Sequence, residues 1–560
     1  MTGRFITAQD GALIPVATGC VVSNGTQISS SSAALMMGTR TLHYCPLGIT
    51  GGIKLLYSPI KAAPDETDAT IAMPINVGVE ANCAAPHDIE AAYVIGDKVT
   101  YGRQEYQAAA DNTGVIPGPA TTATWTATAF NTPSPVPFKG TRAGKMAAAT
   151  TPGGATVVED LLSDLIPCEV EPGGWLALNT FISQPSGNNV IPLGRQTKII
   201  DGEYLASGPS IGDRSITGTV PIATALNGLN YIFTPVAILG RSSTVKRDVP
   251  AIVADSLGNG DVGKGAAAIT INAGGTGFTA NDVGKIGTVG TTGASAGAVN
   301  SPIMVQICAV SGGAVTTLWL LDGGSMANTT NLPSATLPST TGQAVTFADA
   351  AGAGLTINWT LGDCLDSAGK KGAQGYWQRA FVANDYPTMN FVRGSDSLTR
   401  WAARDYARMA LMEKAGINAV LDALGVNDVI TGGYTAATVI ALITARNARY
   451  RAAGVNKVIK ATITPHVTVS TDAFLTLGNQ TVSAYNDMIN TINDAIRAGT
   501  VGNDGYVDAS DAACSARGSG KFKVDGVTPG LMVADGIHFS YTGIPIMAAA
   551  MAAEIGTLFN

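Results

Sequence analysis

Apolar residues fall along this chain in two regimes. Up to residue 247 they come in short runs between turn residues, as in Gly11-Ala12-Leu13-Ile14-Pro15-Val16, Gly52-Ile53-Lys54-Leu55-Leu56-Tyr57 and Gly173-Gly174-Trp175-Leu176-Ala177-Leu178. Runs of this kind, punctuated by glycine, proline and serine, predict the strands of a β-sandwich. From Gly375 onward, apolar runs alternate with helical spacing. Residues 397–414 carry Leu398, Trp401, Ala402, Tyr406, Met409, Ala410 and Met412 at intervals that predict a helix. Further helices are predicted over 435–453, 482–498 and 541–558. Buried strands are predicted over 419–424, 457–465 and 505–508, and another leads into residue 256. Strands alternating with helices predict a parallel sheet covered on both faces, with any active site at the C-terminal strand ends. Two stretches interrupt these regimes. Residues 86–130 are rich in tyrosine, and residues 265–359 are rich in glycine, alanine, threonine and valine.

The candidate chemistry sits at predicted strand ends. Val253-Ala254-Asp255-Ser256-Leu257-Gly258 places a serine where a strand gives way to a turn, a position that lifts a nucleophile out of the sheet. Three later stretches supply what a serine lacks. Asn390-Phe391-Val392-Arg393-Gly394 offers a glycine N–H, and Gly425-Val426-Asn427-Asp428 offers a side-chain amide. Asp535-Gly536-Ile537-His538 offers a base with a carboxylate three residues before it. The carboxylate can bond one imidazole nitrogen within a single loop, fixing the tautomer and stabilising the imidazolium. In the order serine, glycine, asparagine, aspartate–histidine, the set resembles the SGNH (GDSL-type) hydrolases, a family of esterases and deacetylases. The resemblance implies a flavodoxin-like parallel α/β/α domain. It assigns Ser256 as nucleophile, His538 as base and Asp535 as its carboxylate. The oxyanion hole would be made by the N–H groups of Ser256 and Gly394 and the amide of Asn427. Asp255 is read as a turn-holding residue rather than the triad acid. Asp428 is expected to bond backbone, and His466 to pack in a loop. His43 and His87 are given no role.

Residues 86–130 contain Tyr93-x-x-Gly96-Asp97-x-Val99-x-Tyr101, then Tyr106, Gly114-Val115-Ile116-Pro117 and Trp125. This resembles the small chitin-binding modules of carbohydrate-binding families five and twelve, although Ile89 and Glu90 stand where a tryptophan is usual. Two uses are open for Tyr93, Tyr101, Tyr106 and Trp125: flat apolar faces for a sugar, or the core of a domain too small to have another. Residues 265–359 resemble the glycine-rich β modules of phage tail and adhesin-like proteins. They would form either a wall of the active-site cleft or a spacer and assembly contact. Residues 1–84 and 131–247 resemble one sandwich, interrupted by the small module, of the kind that precedes the catalytic domain in a branch of the SGNH family. The expected organisation is therefore multidomain α/β plus all-β. The discontinuous sandwich is joined by the module at 86–130, a hydrolase domain at 248–264 and 360–560, and the insertion at 265–359.

Composition narrows the function classes. Charged residues are 13% of the 560, with a net charge of −7, so no basic face suggests nucleic acid. The seven cysteines are widely spaced without Cys-x-x-Cys, and the four histidines form no His-x-x-x-His pair, so neither a disulfide framework nor a metal hydrolase is expected. No cofactor is expected. The N-terminus lacks the apolar core of a signal peptide, and no apolar run reaches the roughly 18 residues of a membrane span. A virion, release by lysis or a leaderless route, and the cytoplasm are the locations left open. The expected activity is removal of O-acetyl or other acyl esters from a polysaccharide, in a phage tail fibre or tailspike setting, with other tail proteins and further copies of the chain as partners. The alternative is a receptor-binding tail protein that uses the hydrolase fold as a glycan-recognition scaffold. A lipolytic or aryl esterase is a third reading, disfavoured because no apolar lid segment is evident.

Overall fold

The structure is a computed structural model. It describes residues 13–20, 26–30, 35–58, 73–88, 91–101, 104–115, 117, 121–146, 160–184, 189–193, 195–196, 203–208, 213, 215–217, 231–242, 244, 246–258, 261–290, 299–301, 303–322, 325–326, 340–365, 375–402, 405–528, 530–533, 535–540 and 542–559. Ile89, Glu90 and Ile116 of the tyrosine-rich stretch lie outside these residues.

Five short strands make the sheet that matters for function. They are β1 (Pro250–Ala254), β2 (Met389–Val392), β3 (Ala419–Asp422), β4 (Lys457–Ala461) and β5 (Gly505–Val507). All pair in parallel, in the spatial order β2-β1-β3-β4-β5. Every residue of β1, β2 and β3 is buried, as in strands covered on both faces, including the polar Asn390 and Asp422. The alternation of the pleat divides β1 between two cores. Ala251 and Val253 join one core with Val439, Ile443, Ile489, Ile492 and Ile496. Ile252 and Ala254 join the other with Trp377, Phe381, Met547, Met551 and Ile555. The helices over these faces are α1 (Tyr376–Val382), α2 (Leu398–Ala402), α3 (Asp405–Lys414), α4 (Val426–Ile430), α5 (Ala436–Ala452), α6 (Asn486–Arg497), α7 (Ala509–Ala513) and α8 (Gly543–Leu558).

One predicted helix differs in extent. Within the predicted span 397–414, the described residues 398–402 and 405–414 are helical. Helix α6 starts at Asn486, not at 482, because Val482 is paired with Val467 in a small antiparallel hairpin. Tertiary pairing here overrides helical spacing.

The N-terminal part is two antiparallel sheets over one core. One sheet holds strands Ile14–Pro15, Ala237–Arg241, Thr50–Tyr57 and Leu161–Leu162. The other holds Ser134–Pro135, Met73–Ala81, Gly174–Gln184, Leu35–Cys45 and Tyr204–Gly208, with Ala143–Met146 also on Met73–Ala81. Strands from before residue 85 and after residue 131 thus alternate within each sheet, and Ile53, Leu55, Ile75, Val77, Leu176 and Ile238 fill the space between. Residues of this sandwich also enter the core of the parallel sheet: Leu56, Val236, Ala237 and Leu239 share a cluster with Val249, Ala251 and Met389. Between the sandwich strands, the described residues of 85–128 form a four-stranded sheet and a two-stranded pair, with Val99, Tyr106, Ala108 and Trp125 at their core. Of the described cysteines, Cys20, Cys45, Cys83, Cys168 and Cys514 are buried thiols.

The glycine-rich stretch is an eight-stranded antiparallel sheet with its own core, including Phe278, Ile303, Val305, Ile357 and Trp359. Its first long strand, Asp261–Thr276, pairs with its last, Ala353–Leu365, starting from Asp261 opposite Leu365. The chain therefore leaves and rejoins the parallel sheet through two neighbouring strand ends. Among the described residues, no helix is long and apolar enough to cross a membrane.

Candidate active site

Ser256 opens a single 3-10 turn, Ser256–Gly258, immediately after β1. Two bonds fold that turn back. The Gly258 N–H donates to the Asp255 carbonyl at 3.0 Å, and the Leu257 N–H donates to the Asp255 carboxylate at 3.0 Å. A Cβ at Gly258 would lie 2.6 Å from Ala254 Cβ, so only glycine closes the turn this tightly. The turn leaves Ser256 half-buried at the C-terminal end of the central strand. Asp255 is fully buried, and its second oxygen has no hydrogen-bond partner. Burial pushes its carboxyl up to about 7; the Leu257 N–H and the charges of His538 and Lys460 oppose this, and Asp396 adds to it.

The base arrives from the loop before α8. His538 Nε2 lies 3.0 Å from Ser256 Oγ, and His538 Nδ1 lies 2.6 Å from Asp535 Oδ2. The other Asp535 oxygen accepts the N–H groups of Ile537 and His538 at 2.9 and 2.7 Å. Burial alone would raise the Asp535 carboxyl. The bond to His538, its charge and the two amides more than offset that and hold it below the ordinary aspartate value. Asp535 is thus an ionised orienter, suited to stabilise an imidazolium. The loop itself is fixed by Val467, whose N–H donates to the Gly536 carbonyl at 3.0 Å.

Three N–H donors around Ser256 are expected from the sequence. The first belongs to Ser256 itself. Arg393 N–H donates to the Ala254 carbonyl at 3.0 Å, carrying the β1–β2 ladder one step past the sheet and placing Gly394 beside the nucleophile turn. Asn427 sits in the first turn of α4, after Gly425, which has φ +138°. One N–H of its amide donates to the Asp396 carbonyl at 2.8 Å. Asp428 accepts the Leu398 N–H at 2.8 Å and the Thr399 N–H at 3.3 Å, so it does bond backbone. His466 stacks against Tyr485 with ring centroids 6.2 Å apart.

Of the two uses open for the aromatic residues of the small module, Trp125 and Tyr106 take the core position. Trp125 is 0% exposed and donates its indole N–H to the Val115 carbonyl at 2.9 Å. Tyr106 is 7% exposed. Neither presents a face to a ligand; in a module this small both are needed as core. Tyr93 and Tyr101 are half-buried. Tyr93 lies against His87, with ring centroids 5.4 Å apart and the planes 20° from parallel, and its hydroxyl accepts the Asp88 N–H at 2.7 Å. His87 also meets Tyr101 and Trp125 edge-on, a packing role its sequence position did not signal.

Sequence reading also passed over Asp396 and Arg408, which pair at 3.0 Å behind the oxyanion donors while almost wholly buried. A charged residue in an otherwise ordinary helix or turn carries no sign of burial, so no local signal marked them.

No protein-family model and no curated protein matches the chain. Among solved structures, it is similar to a carbohydrate esterase family 3 protein from Talaromyces cellulolyticus (19% identity, 31% of this chain and 73% of that one, TM-score 0.23). It is also similar to an acetylxylan esterase from Geobacillus stearothermophilus (15%, 33% and 83%, TM-score 0.25). A third is an α/β hydrolase enzyme from the metagenome of Lake Arreo, Spain (16%, 34% and 84%, TM-score 0.26). Likenesses at these scores carry no weight for the reaction; the strand order and the triad geometry do.

Proposed function

We propose that this protein is a serine ester hydrolase of the SGNH type, with a flavodoxin-like catalytic domain. The observation that carries the reading is the unbroken relay Ser256–His538–Asp535, at 3.0 and 2.6 Å, on the C-terminal edge of a parallel sheet. In the proposed reaction Ser256 Oγ attacks the ester carbonyl carbon as His538 Nε2 takes its proton. The carbonyl oxygen becomes an oxyanion facing the N–H groups of Ser256, Gly394 and Asn427. Collapse breaks the bond to the alcohol oxygen, which leaves with the proton from His538. Water, deprotonated by the same imidazole, then attacks the acyl-serine and releases the acid.

The substrate we propose is an O-acylated polysaccharide, and the setting a phage tail fibre or tailspike. Both rest on the sequence resemblances of the small module and the glycine-rich sheet. The burial of Trp125 and Tyr106 means that any sugar contact there falls to other residues of the module.

The test is acetate release from p-nitrophenyl acetate and from acetylated polysaccharides by the wild type and Ser256→Ala. The wild type should release acetate from both. Ser256→Ala should lose at least about 1,000-fold. Activity should rise with pH through a single ionisation, since only neutral His538 can accept the serine proton. A folded wild type that cleaves no ester would refute the esterase; cleavage of aryl esters alone would refute the glycan substrate.

A further inference from the structure

Building on the hydrolase reading, we propose that Asp396, held by Arg408, is a positioning residue that aims the oxyanion donors Asn427 and Gly394.

The two donors come from different loops, one after β2 and one after β3. The last ladder bonds, from the Arg393 N–H to the Ala254 carbonyl and from the Ala423 N–H to the Val253 carbonyl, hold only the starts of these loops and stop short of Asp396 and Asn427. The structure shows them stapled by side chains. Asn427 donates to the Asp396 carbonyl, and Asp428 accepts from the Leu398 N–H, the Thr399 N–H and the Thr399 hydroxyl. The first of these bonds uses one of the two N–H groups of Asn427. An amide group is planar, so fixing one N–H fixes the direction of the other.

The Asp396 carbonyl can do this only if its own turn is held. That turn contains Ser395 in the left-handed region, at φ +59°, which costs a non-glycine residue conformational energy unless its surroundings impose it. The Asp396 carboxylate supplies the hold. One oxygen accepts the Ser397 N–H at 3.0 Å, and the other accepts from Arg408 Nη1 at 3.0 Å. The side chains of Arg408 and Asp396 are 1% and 0% exposed.

A buried pair of this kind is poor value as a stabiliser, since desolvating two ions consumes most of what their attraction returns. Arg408 is an extreme case. Its Nε and Nη2 have no hydrogen-bond acceptor, and its guanidinium rests on the Trp401 ring, 4.1 Å from the centroid. What such a pair provides is direction: Arg408 can satisfy Asp396 from one position only. Trp401 is held from a second side by Arg446, 4.9 Å from its centroid, which also donates to the Leu398 carbonyl at 3.1 Å. On the Asn427 side, the fully buried Lys460 donates to Asp422 and to the Leu424 carbonyl, both at 2.6 Å, just ahead of Gly425. Both donor loops are therefore tied to buried cations rather than left to solvent.

Asp396 touches no reacting atom in this scheme and acts through Asn427 and Gly394. The test uses Asp396→Asn, Arg408→Lys and Asn427→Ala, singly, and Asp396→Asn with Asn427→Ala, on p-nitrophenyl acetate. Arg408→Lys keeps the charge but not the reach, and so guards against a variant that fails to fold. Asp396→Asn and Arg408→Lys should each lower kcat by about 10- to 100-fold, somewhat less than deleting a donor outright. KM and the pH midpoint of the rate should not move, because the triad is untouched. In the Asn427→Ala background, Asp396→Asn should cost no more than about threefold, because the group it aims is gone. Fully multiplicative losses, a shifted pH midpoint, or kcat unchanged in both single variants would overturn the proposal. A wild type without Ser256-dependent activity would instead refute the esterase reading beneath it.

Discussion

At the scale of the residue, the proposed triad was legible because its hardest contact is local. Asp535 and His538 are three residues apart, and that spacing alone lets one carboxylate hold both the loop amides and the imidazole. Asp396 was illegible for the opposite reason: its partners Arg408 and Asn427 are brought to it by packing. Trp125 was ambiguous in sequence because an aromatic in a small module can be core or binding face, and only burial decides. Asp255 carries a prediction of its own. Its carboxyl is pushed up to about 7 by burial, against about 3.9 for an aspartate in an unfolded chain. The folded state therefore keeps a proton that the unfolded chain has released. The stability this adds is complete below about pH 4 and is lost as the pH climbs to about 7, a span worth on the order of 4 kcal/mol at most. Asp255→Asn retains an acceptor for the Leu257 N–H and cannot ionise. Its stability relative to wild type should rise by more than about 1 kcal/mol between pH 5 and pH 7.5, measured by hydrogen exchange of β1 amides. An unchanged difference would mean that Asp255 titrates as an exposed aspartate does.

At the scale of the element, β1 and β3 could be read directly, since short, mostly apolar runs, with only Asp422 polar in β3, fit a doubly covered parallel strand. Helix α6 was overextended by four residues because spacing cannot reveal that Val482 has a strand partner. The loop holding His538 depends on a similar cross-element contact. Gly536 has φ +88°, and a Cβ there would fall 2.0 Å from the Val467 carbonyl oxygen. That neighbour is backbone and cannot rotate away, so Gly536→Ala must displace the loop itself. A shift of about 1 Å in a catalytic group can cost about 100-fold in rate. Gly536→Ala should therefore lose about 100-fold in kcat, together with about 1–3 kcal/mol of stability from the enforced left-handed backbone. Steady-state kinetics beside urea unfolding would separate the two, and a variant with wild-type kcat would show that the loop adapts.

At the scale of the whole molecule, the attached units are joined to the parallel sheet in different ways, and this governs which can be removed. The glycine-rich sheet leaves and returns through adjacent residues, Asp261 opposite Leu365, and its core of Phe278, Ile303, Val305 and Ile357 is its own. Its removal should expose little of the hydrolase core. Replacing residues 261–365 with a short glycine–serine linker should leave a folded protein whose kcat/KM on p-nitrophenyl acetate is within about threefold of wild type. The same variant on acetylated polysaccharide distinguishes the two roles considered for this sheet: a cleft wall would show a selective loss on the polymer, and a spacer would not. The sandwich offers no such freedom, because Leu56, Val236 and Leu239 lie in the same cluster as β1 and β2 residues. Removing those three side chains exposes the core surface they cover, on residues such as Val249 and Met389, at a cost of roughly 5–9 kcal/mol, comparable to the whole stability of an ordinary domain. A chain beginning at residue 247 should accordingly be aggregated or unfolded, whereas the chain lacking 261–365 should not. Circular dichroism and sedimentation of the two constructions would check this, and a soluble, active protein from residue 247 onward would show that the shared core is dispensable.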